Sequence, residues 1–137
     1  MAEPELSKRL IRRWISEVWN KGNLALADDL FAPTYIHRTP VAIYPHLAAF
    51  KQMIVDFRHG VPDVQVTIQD LLIDGDKVIT RWQLTGTHRG ELLGIAATNK
   101  TVTLSGITIQ RVENGKIAES WAEFNASGFK QSLTESV

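Results

Sequence analysis

The stretch GKIAESWAEFN, residues 115–125, reads as the closing strand of a sheet, and the side it turns inward decides what the fold encloses. Alternate residues of a strand point to opposite faces. One face carries Ile117, Glu119, Trp121, Glu123 and Asn125; the other carries Ala118, Ser120, Ala122 and Phe124. Acids turned inward would make an acid/base pocket, whereas small residues turned inward leave a cavity with no acid on this strand. The preceding Glu113-Asn114-Gly115 allows two turns. A two-residue Asn114-Gly115 turn pairs Glu113 with Lys116 and sets Trp121 opposite Thr108. A type I turn with a glycine bulge pairs Val112 with Lys116 and sets Thr108 opposite Ser120, Gly106 opposite Ala122, Leu104 opposite Phe124 and Ile107 opposite Trp121. The second register separates two coherent surfaces and is the one expected. Gly106, Thr108, Gln110, Ala118, Ser120 and Ala122 then form a small, mildly polar face. Ile107, Ile109, Ile117, Trp121, Glu119 and Glu123 form a bulky one.

Upstream, the period-2 alternation extends back to residue 64, giving the strands VQVTIQDLLI, VITRWQLTGTH and TVTLSGITIQRV before the last. DGD at 74–76 and ENG at 113–115 are hairpin turns, and the longer RGELLGIAATNK lies at one rim. Before residue 64 the period is near 3.6. Leu6, Leu10, Ile11, Trp14, Val18 and Trp19 place an amphipathic helix over 5–20, stopped by Gly22. Asn23 is expected to cap a short helix through about Phe31, and a third helix covers 46–59 with Gly60 as its stop. The three prolines of APTYIHRTPVAIYP, 32–45, predict an irregular connection. Helices first and sheet second indicate an α+β domain spanning 1–137, with three N-terminal helices on a curved antiparallel sheet. Short side chains on the concave face leave volume for a small apolar ligand. The helices cover only one side, so Ile107, Ile109 and Trp121 are expected to pack a homodimer through the sheet face.

Composition narrows the function classes. Of 137 residues, 44% are apolar, and 15 Lys and Arg balance 15 Asp and Glu, which argues against nucleic-acid or membrane-surface partners. The basic cluster Lys8, Arg9, Arg12 and Arg13 reads as a solvated helix face offset by Glu5 and Glu17. With no cysteine, thiol nucleophiles and Cys-ligated metals are excluded, and the four histidines at 37, 46, 59 and 88 lack metal-binding spacing. No nucleophile elbow, phosphate loop or dinucleotide fingerprint occurs, so no cofactor is expected. MAEPELSKRL is not a signal peptide, and a cytoplasmic protein is expected.

Taken in order, NKGNLALADDLFAPTYIHRTP, VITRWQLTGTHRGELLGIAATNK and GITIQRVENGKIAESWAEFN resemble the SnoaL-like polyketide cyclases and predicted ester cyclases, within the nuclear-transport-factor-like superfamily. The resemblance runs over roughly residues 8–134. It implies a cone-shaped α+β barrel with a deep apolar pocket, commonly dimeric, and cofactor-free acid/base chemistry on a carbonyl compound or ester. It also implies an acid/base carboxylate on the last strand and a His or Asp on its hairpin partner. The matching positions here are Ala122 and Thr108, neither titratable at neutral pH, and the final Asp of the family's E-x-W-x-x-x-D word is Asn125. In Ile36-His37-Arg38, where members often read His-Asp-Pro, His37 is retained.

The groups expected to replace the missing acid are His37, His88 and Asp70. An imidazole titrates near neutrality, and Asp70 interrupts the alternation Val64, Val66, Ile68, Leu72 as a partly buried acid would. The expected ligand-contacting residues are Trp14, Tyr35, Trp82, Thr108, Ser120, Ala122 and Phe124. The same features fit a non-catalytic module that binds a hydrophobic ligand or serves dimerisation. Glu119 and Glu123, on the bulky face, are expected to pair with Arg111 or a partner subunit.

Overall fold

A computed structural model describes residues 3–134. Helix α1 (Glu3–Arg13) runs without a break into a π-helical segment, Trp14–Asn20, so the apolar stripe continues to Trp19 as the period requires. A 3-10 turn (Leu24–Leu26) and the one-turn α2 (Ala27–Leu30) follow; Asn23 offers no side-chain cap to them. Helix α3 (Leu47–Gly60) begins at His46, whose ring nitrogen Nδ1 accepts from the Ala49 N–H at 3.1 Å, and buries Phe50 and Ile54. The main strands are β3 (Gln65–Asp74), β4 (Lys77–Thr87), β5 (Thr101–Glu113) and β6 (Lys116–Phe124).

Two elements depart from the expected layout. The proline-bearing segment is not irregular: Phe31–Arg38 forms β1 and Ile43–Tyr44 forms β2. Strand β1 runs parallel to β6, and its pairing lapses between Phe31 and Ile36, which leaves Pro33 free of any need to donate a ladder bond. The sheet is therefore mixed, six-stranded and unclosed, in the order β2-β1-β6-β5-β4-β3. A fourth helix, α4 (Ala126–Thr134), follows the last strand and packs Phe129 and Leu133 into the core. Asn125 accepts from the Gly128 N–H at 3.0 Å, so the side chain where the resemblance implies a final acid caps this helix instead.

The closing hairpin corrects the expected register while keeping the expected faces. Asn114 (φ 52) and Gly115 (φ 75) both lie in the left-handed region, as a two-residue type I′ turn requires, and Glu113 pairs with Lys116. The ladder then shifts between Arg111 and Val112: Val112 faces Ile117, but Arg111 faces Glu119, leaving Ala118 as a bulge. Beyond it Gln110 pairs with Ser120, Thr108 with Ala122, Ile109 with Trp121 and Gly106 with Phe124. Each partner stands two residues from the expected one, so inward and outward sets are preserved. The exception is Ile117. It lies before the bulge, faces inward and is fully buried beside Ala118.

A second bulge corrects the reading of Asp70. Pairing of β3 with β4 slips between Ile68 and Asp70, so Leu71 and Ile73 take over the inward positions while Asp70 and Leu72 turn to solvent. Asp70 is an exposed partner of Arg81, not a partly buried acid.

The helices cover the inner face of β3–β6. Asn20 fixes the end of the π-helical segment to the edge strand, accepting from the Val66 N–H at 2.7 Å and donating to its carbonyl at 3.1 Å. The outer face bears the row Leu72, Ile79, Ile109 and Trp121 across four strands. Leu72 is 61% exposed, Ile107 47% and Ile109 36%. Along its flank, Arg111 donates to Glu119 at 2.8 Å and Arg38 to Glu119 at 3.0 Å, and the Arg38 guanidinium lies 5.1 Å from the Trp121 ring centre. Glu119 is held below the usual carboxylate range, first by the hydrogen bond from Arg111.

Candidate functional site

The inner face is built so that volume is left over. Side chains on β6 stay at methyl and hydroxymethyl size through Ala118, Ser120 and Ala122, and Gly106 on β5 lets Trp82 lie across it. A Cβ at Gly106 would collide with Trp82 Cζ2 and stand 2.7 Å from the Glu123 carbonyl oxygen. The result is a cavity of about 510 Å³ between sheet and helices. Trp14 and Trp19 from the first helix, Phe50, Met53 and Phe57 from α3, and Phe129 from α4 form its far wall. Trp82, Leu84, Leu104, Ala122 and Phe124 form its sheet side, and Leu93 reaches it from the rim segment. Among the described residues no Asp or Glu lines it.

Four polar residues of the sheet interrupt this wall. His37 on β1 is 7% exposed, tilted against Phe50 with ring centres 4.5 Å apart, and flanked by Tyr44. Its Nδ1 lies 2.9 Å from the Tyr35 hydroxyl, which lies 2.6 Å from Ser120 Oγ. Burial pushes the imidazole down to about 4, so the ring is neutral at pH 7, and burial likewise raises the Tyr35 phenol, which keeps its proton. With Nδ1 engaged, Nε2 is the ring nitrogen left for a ligand. Thr108 accepts from the Trp82 indole N–H at 2.8 Å and retains its own proton to give. Thr80 and Gln110 complete the set, each 1% exposed; Thr80 Oγ1 and Gln110 Nε2 make no hydrogen bond of normal geometry among the described residues.

The residues singled out in the sequence divide clearly. His37, Trp14, Trp82, Thr108, Ala122 and Phe124 all line the cavity. Tyr35 and Ser120 stand behind His37 and orient it. His88 is buried elsewhere, its Nδ1 2.9 Å from Thr98 Oγ1, where it ties the rim segment to the end of β4. Asp70 lies on the opposite face of the sheet. Sequence reasoning set Gln110 on the small face without naming it as a ligand contact, and it missed Thr80, which lies in phase with Trp82 on β4. It also missed Ser127 and Lys130, which α4 brings to the cavity; Phe129 and Leu133, four apart behind the Asn125 cap, were the available signal. No group of three His, Asp or Glu side chains gathers among the described residues, and no described helix is long and apolar enough to cross a membrane.

The SnoaL-like polyketide cyclase family model matches residues 9–133, nearly the whole chain. The chain belongs to that family. A candidate polyketide cyclase from Acidithiobacillus ferrooxidans is 28% identical, with each chain covering 97% of the other and a TM-score of 0.84. A candidate SnoaL-like polyketide cyclase from Jannaschia superposes at a TM-score of 0.90 over 100% of this chain and 98% of that one, and at 15% identity it shows the fold alone. AclR, a candidate hydroxylase from Streptomyces galilaeus, is 23% identical over 96% of this chain and 97% of its own, with a TM-score of 0.84, and likewise shows the fold alone. No curated protein matches the sequence. For this SnoaL-like chain, fold and family are settled, while chemistry has to be argued from the cavity.

Proposed function

We propose that this SnoaL-like protein binds a small, largely apolar carbonyl compound in the cavity and moves a proton on it without a cofactor, with His37 as the base. The observation that carries the reading is the isolation of His37: it is the one imidazole on the cavity wall among the described residues, neutral and oriented through Nδ1 by Tyr35 and Ser120. A neutral ring accepts a proton at Nε2 while its Nδ1–H donates to the Tyr35 hydroxyl. Burial keeps the ring unprotonated at pH 7 but weakens it as a base, so removal of a C–H proton next to a carbonyl depends on the surrounding hydroxyls and amide stabilising the enolate. Thr108 and Ala122, opposite one another at the positions where the family resemblance implies titratable groups, contribute shape and one donor. His88 and Asp70 take no part in this reading, because neither reaches the cavity.

The absence of any carboxylate among the described lining residues favours a second reading, in which the cavity only holds an apolar ligand. Deuterium uptake at the α carbon of 2-tetralone in D2O, followed by proton NMR, separates them. Catalysed exchange that falls by about a hundredfold in His37→Ala supports proton transfer. Saturable binding with no catalysed exchange supports the binding module. On either reading Ala122→Leu fills the cavity and blocks uptake.

The outer face supports a homodimer. The neutral row Leu72, Ile79, Ile109 and Trp121, with Ile107 beside it, is bordered by Arg81 and Arg111, already paired within the chain, and by Glu123 opposite Ile107, which a second copy would leave at the rim or pair.

A further inference from the structure

Three residues lining the cavity carry a buried polar atom with no hydrogen bond among the described residues: Trp14 at Nε1, Thr80 at Oγ1 and Gln110 at Nε2. Thr80 Oγ1 and Gln110 Nε2 belong to the sheet side of a largely apolar wall and are shut away from solvent; neither makes a hydrogen bond of normal geometry among the described residues, although the Gln110 amide stands near enough to the Tyr35 hydroxyl to act on it. A buried donor left unpaired is costly, and a native fold retains one where something else satisfies it. They are not scattered. Thr80 pairs directly with Thr108, Gln110 stands two residues along β5 from Thr108, and Gln110, Ser120 and His37 occupy one row across β5, β6 and β1.

We infer that Gln110 Nε2, Thr80 Oγ1 and Thr108 Oγ1 form a subsite for a neutral carbonyl oxygen of the bound compound, a role that rests on the apolar-ligand reading above. The chemistry of the three groups selects the ligand atom. The amide nitrogen of Gln110 only donates, and the Thr108 oxygen already accepts from Trp82, so its proton is what it has left to offer. Thr80 supplies a further hydroxyl. Three neutral donors on neighbouring strands suit a ketone, ester or quinone oxygen; the one lining cation among the described residues, Lys130, stands on α4 and not among them, so a carboxylate held at this spot would lack a countercharge beside it. The shared row then fixes the ligand's direction. Gln110 and His37 lie two strands apart, roughly 10 Å between backbones, so an oxygen held at Gln110 turns the neighbouring carbons toward His37 Nε2.

Three rigid probes of one shape test this: fluorene, fluorenone and fluorenol, titrated into the full chain and followed by tryptophan fluorescence. Fluorenone's carbonyl stretch is read separately by infrared difference spectroscopy. The subsite predicts that the fluorenone-to-fluorene affinity ratio falls about tenfold in Gln110→Leu, and falls in the near-isosteric Thr80→Val, while fluorene still binds both variants. It also predicts a carbonyl stretch lowered on binding to the wild-type protein. Thr80→Val keeps the test decisive if Gln110→Leu fails to fold. A ratio unchanged in every folded variant, a carbonyl band at its hydrocarbon-solvent position, or tighter binding of fluorenol than fluorenone overturns the subsite and leaves the apolar-ligand reading standing. If none of the three binds, both are overturned.

Discussion

One buried ring should make this protein less stable as pH falls from neutrality toward 4. His37 is held at about 4 by burial, against an ordinary value of 6.5, and the groups that face it, Tyr35, Ser120, Tyr44 and Phe50, carry no charge in that range. The unfolded chain takes up this proton as pH falls through 6.5, and the folded chain declines it until about 4. Folding is therefore penalised between those values, by up to about 1.4 kcal/mol per pH unit and roughly 3 kcal/mol in all. Above the upper value the contribution is constant, and below the lower one no more is lost. His37→Gln removes the proton site and keeps an amide able to bond the Tyr35 hydroxyl. Urea denaturation of both proteins at several pH values between 7 and 4 gives the comparison. The stability of the wild type relative to His37→Gln should decline by roughly 3 kcal/mol across that span. Curves parallel within about 0.5 kcal/mol would refute the argument, as would an NMR titration of His37 near its ordinary value.

Three further outcomes follow from the geometry. Gly106→Ala should cost about 1–3 kcal/mol in chemical denaturation and shift Trp82 emission, since the new methyl group meets the indole and the Glu123 carbonyl. If the proposed outer-face pairing holds, the wild type should sediment as a dimer and Trp121→Asp as a monomer, with the fold intact by circular dichroism. Asp70→Asn should change stability by less than about 0.5 kcal/mol and leave ligand binding untouched, because its ion pair with Arg81 lies in solvent on the outer face.

Most of the fold could be read from periodicity, and the exceptions share a physical cause. Strand β1 was hidden because three prolines outweigh the short alternation of Tyr35 and His37. The ladder next to Pro33 lapses, so the strand tolerates what a fully paired one would not. The two bulges were invisible for a related reason. Each inserts one residue into an alternating pattern, at Ala118 and between Ile68 and Asp70, and a pattern read strictly at period 2 has no place for it. In the first case the compensation was benign: the turn and the bulge together restored the inward set from Ser120 onward. In the second, Asp70 changed faces and left the candidate site. The cavity's aromatic lining and His37 could be found in the sequence because they follow from face assignment. The donors Gln110 and Thr80 could not be recognised as unpaired, since lack of a partner is a property of the assembled core.

The central claim is that the small-residue face of the sheet, with His37 set in it, receives the ligand. A crystal structure of the protein with fluorenone tests it most directly. The account predicts the ketone under Ala122, its oxygen within hydrogen-bonding distance of Gln110 and its ring beside His37. A ketone seated on the outer face against Ile109 and Trp121, with the cavity unfilled, would contradict it.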